Sequence, residues 1–155
     1  MARRESTAKV DCPFCKIALG EVPANIVFED EVSVAFLDHR PLFPGHCLFI
    51  PKIHYPTLAD IPAGLISAFF FNARFLVLAV EQGMEAEGTF VAINNRVSQS
   101  VPHLHVHIVP RHKKDGLRGF FWPRQRYQSE EAMGQVQKAI RSAIARLSSE
   151  REKNG

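Results

Sequence analysis

The chain has 155 residues, 46% hydrophobic and 23% charged, a composition that suits one globular domain with its own core. Nineteen lysines and arginines against sixteen acids give a net charge of +3, too balanced to mark a nucleic-acid binder, so no nucleic-acid partner is required. No uninterrupted apolar run nears the ~18 residues of a membrane span; Leu65 to Val80 is broken by Asn72 and Arg74, and no apolar segment follows Arg3-Arg4, so the reading is a soluble, cytoplasmic protein without a membrane partner.

Residues 1–10 are polar and are expected to form a flexible N-terminus, with 11–150 forming a single domain. Ile26-Val27-Phe28 and Val32 to Phe36 read as two strands joined by a turn at Glu29-Asp30-Glu31, an antiparallel hairpin. Arg40 to Gly45 is a loop by its prolines and glycine, and a third strand, Cys47 to Ile50, stops at Pro51. Asp60-Ile61-Pro62 opens a helix in which Leu65, Ile66, Phe69, Phe70, Ala73, Leu76, Val77 and Val80 recur at helical spacing. Phe69, Phe70 and Phe71 cannot all face one core. Thr89 to Ile93 and Leu104 to Val109 give strands four and five. A second helix runs from Ser129 to about Ser149, capped by Ser129 and striped by Met133, Val136, Ile140, Ile144 and Leu147. The order predicts an α+β fold: an antiparallel sheet of about five strands with a central packing helix and a C-terminal helix.

Two features need a partner before they carry chemistry. Arg111, Lys113, Lys114, Arg118, Arg124 and Arg126 crowd one stretch opposed only by Asp115, either a solvated loop or an anion-attracting rim. Its aromatics Phe120, Phe121 and Trp122 are core under a loop or a lid over a leaving group. Cys12 and Cys15 form a C-x-x-C pair, which serves metal or redox chemistry, while Cys47 sits in an apolar run as a small buried hydrophobe.

The informative segment is Val101-Pro102-His103-Leu104-His105-Val106-His107-Ile108-Val109. On a strand alternate residues share a face, so His103, His105 and His107 project one way and Leu104, Val106 and Ile108 the other. A lone histidine is ordinary packing; three at period two are not. They either bind a metal or form an acid–base and nucleophile site.

These residues resemble the histidine triad (HIT) family, whose signature is His-x-His-x-His followed by two apolar residues. The likeness extends through the lead-in Gln99-Ser100-Val101, the continuation Pro110-Arg111, and upstream through Cys12-Pro13-Phe14-Cys15-Lys16-Ile17, Phe36-Leu37-Asp38, Pro44-Gly45-His46 and Ile50-Pro51-Lys52-Ile53-His54. It covers residues 11–111. Ser98 stands where many members have glycine, and the Asn94–Gln99 loop is short.

The resemblance implies cleavage at the α-phosphate of purine nucleotide phosphoramidates or dinucleoside polyphosphates, in Hint-like or Fhit-like manner, by hydrolysis, transfer or phosphorolysis. His105 would attack phosphorus and carry a transient nucleotidyl group; His107 would donate to phosphate oxygens. Gln99, Ser100 and Asn94 would lie on the phosphate side, with His46 behind them. Phe14, Ile17 and Phe36 would hold the base and Asp38 the ribose hydroxyls, although without the resemblance the first three read as core. It further implies a structural zinc, one per chain, on Cys12, Cys15, His54 and His103, and a homodimer formed through the helix around Leu65 to Val80. The other reading is a non-catalytic nucleotide- or zinc-binding module, against which stands the intact His105; a purely metal-based hydrolase would lose its activity to a chelator.

Overall fold

The computed structural model describes residues 11–118 and 125–154. The chain divides into two compact units, Met1–Asp115 and Gly116–Gly155, each described by itself. The expected flexible segment 1–10, together with Phe120, Phe121, Trp122 and Arg124, lies outside the described residues.

The first unit is a five-stranded antiparallel sheet with two α-helices. In chain order it runs α1 (Pro13–Ala18), β1 (Ile26–Glu29), β2 (Ser33–Leu37), β3 (Cys47–Pro51), a 3-10 turn (Leu58–Asp60), α2 (Ala63–Gly83), β4 (Gly88–Ala92) and β5 (Val106–Arg111). The strand order is β1-β2-β3-β5-β4. Every neighbouring pair is antiparallel. The predicted α+β class is the observed one.

Both faces of the central strands are covered, which explains why β2 and β3 read as continuous apolar runs rather than alternating ones. Ala35, Cys47, Phe49, Val106 and Ile108 face Phe69, Ala73, Leu76 and Val80 of α2. Val34, Phe36, Leu48 and Ile50 face the other way, against Cys12, Phe14 and Cys15 at α1. Phe49 stacks on Phe69 with ring centroids 4.5 Å apart, so truncating either to alanine would cost about 3–5 kcal/mol.

α2 resolves the three consecutive phenylalanines. Phe69 is buried, whereas Phe70 is 37% and Phe71 67% exposed. Asn72 is not a break in an apolar run but a tie: its amide donates to Asp30 Oδ2 at 2.6 Å and to Ser33 Oγ at 3.0 Å, pinning the helix to the β1–β2 turn. Over 21 residues α2 reaches a mean hydropathy of 1.9 in an 18-residue window, so by length and composition it is long and apolar enough to cross a membrane. This corrects the reading of interrupted runs, because two polar residues barely lower an average over such a window. In this fold, 22% of that window is buried, on the face packed against the sheet.

The helix starts later than predicted. Thr57 and Asp60 close a capping box around the 3-10 turn, and Pro62 then serves as the N-cap of α2. The last strand is shifted: it begins at Val106 rather than Leu104 and runs on through Pro110 to Arg111. Proline is tolerated there because the pairing of β3 with β5 ends at Ile108, and past that point β5 has a neighbour on one side only.

In the second unit, α3 (Glu130–Asn154) starts where predicted, with Ser129 Oγ accepting the Ala132 N–H at 3.0 Å. Its apolar stripe, Met133, Val136, Ile140, Ile144 and Leu147, is 42–60% exposed.

Candidate active site and metal centre

On the α1 side of the sheet the chain encloses a cavity of about 420 Å³, lined by Phe14, Ile17, Phe36, Asp38, Ser100, His105 and His107. The cavity is also walled by Val22, Pro23, Ala24 and Asn25, which sequence reasoning missed because an irregular connection carries no periodic signal. Phe14 puts its ring 5.2 Å from His105, edge to face, and 5.4 Å from Phe36. An aromatic corner opens here beside a row of imidazoles.

The tautomers of these imidazoles follow from backbone groups whose hydrogen-bonding roles are fixed. His105 Nδ1 lies 2.7 Å from the carbonyl oxygen of His103, so Nδ1 carries the proton and Nε2 carries the lone pair. His103 Nε2 lies 2.8 Å from the carbonyl of Pro51, so Nε2 donates and Nδ1 holds the lone pair. His46 Nδ1 accepts the Leu42 N–H at 3.1 Å, which places its proton on Nε2, 3.0 Å from His107 Nδ1. His46 therefore donates to His107, and the remaining proton of His107 sits on Nε2. Gly45, at φ +93°, turns the loop into His46, and a Cβ there would stand 2.7 Å from Cγ of Met84.

Burial and neighbouring imidazoles disfavour protonation of His107, His103 and His46. Burial first, then His105 and His46, push His107 down to about 4. His103 is pushed down to about 4, chiefly by burial, and burial also lowers His46 despite the opposing pull of Asp38.

The two ends of the row differ. Leu104, Val106 and Ile108 enter the α2 core as the alternation predicts, and His105 and His107 face the cavity. His103, ahead of the strand, turns to the cysteines. Its Nδ1 is 3.4 Å from Cys12 Sγ and 3.6 Å from Cys15 Sγ, and His54 Nδ1 is 3.3 Å from Cys15 Sγ. All four donor atoms lie within 4.8 Å of one another. A tetrahedral zinc with bonds of ~2.0–2.3 Å spaces its ligands by roughly 3.3–3.8 Å, so the set fits. The His103 Nε2–H on a backbone carbonyl is the outer-shell bond that orients a metal-bound imidazole.

Asp38, His46 and His107 also cluster, but their arrangement is that of hydrogen bonds. Asp38 Oδ1 accepts the Arg40 N–H at 2.9 Å, and both nitrogens of His46 are engaged as above.

Among the other predicted site residues, Ser100 lines the cavity, while Asn94 and Gln99 do not. The Gln99 carboxamide accepts from the Arg96 N–H at 2.8 Å and donates to the Pro56 carbonyl at 2.6 Å, bracing the loop. In that loop Ser98 adopts φ +57°, the region glycine enters without strain. In the basic stretch Arg111 is paired through two nitrogens with Asp115, and Lys113 with Glu87 at 3.1 Å.

Known proteins resemble this chain in sequence and in fold. Residues 19–114 match the HIT domain. The chain belongs to the HIT family. It is 37% identical over 114 residues to the adenylylsulfatase HINT3 of Arabidopsis thaliana, covering 72% of this chain and 58% of that protein. It is 34% identical over 139 residues to the adenosine 5'-monophosphoramidase HNT1 of Saccharomyces cerevisiae, covering 87% and 84% respectively. A zinc-bound histidine triad family protein from Mycobacterium smegmatis superposes with a TM-score of 0.65 at 34% identity, covering 90% of this chain and 96% of that one.

Proposed function

We propose that this HIT protein cleaves purine nucleotides at the α-phosphate through a nucleotidyl group carried on His105. The observation that carries the reading is the bond from His105 Nδ1–H to the His103 carbonyl, which leaves the Nε2 lone pair for phosphorus in a cavity walled by Phe14 and Phe36. In the first step that lone pair forms a bond to phosphorus as the bond to the leaving group breaks. The Nε2–H of His107, fixed by His46, donates to the oxygens that gain charge. Water then attacks the same phosphorus as the bond from phosphorus to His105 Nε2 breaks; the water's proton passes to solvent and Nε2 regains its lone pair.

The leaving group is small in this reading, an amine or sulfate rather than a second nucleotide. Two similar proteins bear the names adenylylsulfatase and monophosphoramidase. A basic stretch free to bind anions would favour a longer polyphosphate, but Arg111 and Lys113 of that stretch are held by carboxylates.

Cys12, Cys15, His54 and His103 would hold one structural zinc per chain; a closed set of four leaves no open position for substrate. All three cysteines are buried thiols, which suits a reducing, cytoplasmic setting. The exposed face of α2, with Ile66, Phe70, Phe71, Phe75 and Leu78, would pair with a second copy, and light scattering that found only monomer would refute the dimer.

Intact-mass measurement during turnover of an adenosine phosphoramidate tests the covalent step. Wild type should show an AMP-sized adduct and His105→Ala none, with activity down by about 10³-fold or more. Undiminished turnover in His105→Ala would overturn the assignment, and binding without turnover in wild type would favour a non-catalytic module.

A further inference from the structure

We propose that metal occupancy of the Cys12–Cys15–His54–His103 set gates nucleotide binding, because the helix its cysteines anchor is also a wall of the nucleoside cavity. The proposal rests on the metal and nucleotide readings above.

α1 is six residues long, far below the ~12–15 at which an isolated helix becomes even marginal, so its position depends on what holds it. Its N-cap is Cys12, whose Sγ accepts the Cys15 N–H at 3.5 Å. Cys15 lies in its first turn. Between the two cysteines stands Phe14, whose ring meets Phe36, His103 and His105 at 5.4, 6.0 and 5.2 Å. Ile17, one turn on, lines the same cavity. A cation shared by both thiolates and two imidazoles therefore fixes the aromatic corner directly.

The other end of the set reaches the nucleophile. His103 offers its ring to the metal group and its backbone carbonyl to His105 Nδ1–H. The opposite face of the sheet has no share in this. Phe49, Val106 and Ile108 are held by Phe69, Leu76 and Val80 of α2, a core without any of the four donors. Loss of metal should release α1 and leave the sheet standing. The cavity then exists only in the fraction of molecules with α1 docked, and the apparent affinity for nucleotide falls by that fraction.

Hydrogen exchange and calorimetry with AMP, on zinc-loaded and chelator-stripped full-length protein, test this. On stripping, amides of residues 12–19 should lose protection while those of β2, β3, β5 and α2 keep it. The AMP dissociation constant should rise about tenfold or more, as for a binding form populated one time in ten, and recover when zinc is returned. The Cys12→Ser, Cys15→Ser double variant should match the stripped protein. Unchanged AMP affinity in stripped protein with bound zinc verified beforehand would overturn the gating alone. Simultaneous loss of protection in α1 and the sheet would also overturn it, showing a global structural metal. Failure of the unstripped protein to hold zinc would overturn the metal reading, and failure of zinc-loaded protein to bind AMP would overturn the nucleotide reading.

Discussion

The two ends of the histidine row hold similar groups and do opposite things with their lone pairs. At the His103 end four donor atoms converge, and the N–H of His103 is turned away to the Pro51 carbonyl. At the His107 end each lone pair meets an N–H: Leu42 donates to His46, and His46 donates to His107. Converging lone pairs call for a cation, whereas lone pairs already matched to protons form a relay that aims the last N–H outward. His105 sits between them and belongs to the relay side by its ring and to the metal side by its partner carbonyl. Residue type alone does not separate a ligand set from a proton relay; the backbone groups that pin each tautomer do.

The sharpest break of this contrast is a crossed pair of variants. His107→Ala should lower turnover by about 10²–10⁴-fold, the usual worth of a positioned proton donor, and leave zinc content unchanged. Cys15→Ser should instead lower zinc content well below one per chain, and with it the affinity for nucleotide. Metal analysis and steady-state kinetics on both variants decide it. If His107→Ala lost zinc, the two ends would be a single site.

A smaller effect falls on His46, which touches the reaction only through His107. His46→Ala should reduce turnover by about 10–100-fold, the cost of removing an orienting partner from a functional histidine, with little change in KM. His46→Gln, which keeps a terminal N–H, should recover part of the loss. Nitrogen NMR should show the His107 proton on Nε2 in wild type and spread over both nitrogens in His46→Ala. An unchanged tautomer in His46→Ala would remove the relay.

Much of this contrast was legible locally. The period-two row put His105 and His107 on one cavity face, though His103 lies ahead of the strand, and helical spacing placed Phe69, Ala73, Leu76 and Val80 on the buried side of α2. The four candidate metal donors came from resemblance, since a C-x-x-C cannot say which distant histidines complete it. The pairing of His46 with His107 was beyond local pattern. It depends on the β3–β5 register that sets Leu48 opposite His107, two positions beyond His46 on the same face. Gln99 looked like a phosphate contact, but only the fold shows the Pro56 carbonyl that takes its amide. The continuation of β5 through Pro110 likewise required knowing where β3 begins.

The smallest expected effect is on the pH dependence of stability. His107 is pushed down to about 4 from an ordinary 6.5, chiefly by burial. His46 is lowered too, with burial again the largest cause. The hydrogen bonds give a second reason to refuse protons: an added proton on His46 Nδ1 meets the Leu42 N–H, and one on His107 Nδ1 meets the Nε2–H of His46. Between pH 6.5 and about 4 the unfolded chain binds protons that the folded relay does not, so stability is full above 6.5 and falls as pH drops. Asp30, whose carboxylate is held below its ordinary 3.8, loses its contribution below this window. At the other end a metal held by His103 would compete with protons, so the measurement is made with zinc saturating. Thermal midpoints from pH 7.5 to 4.5 should fall in wild type by roughly 2–4 °C for each kcal/mol lost, and His107→Asn should flatten that slope. Equal slopes in the two proteins would mean that the relay takes up protons as readily folded as unfolded, and that its neutrality is not built into the bonds from Leu42 through His46.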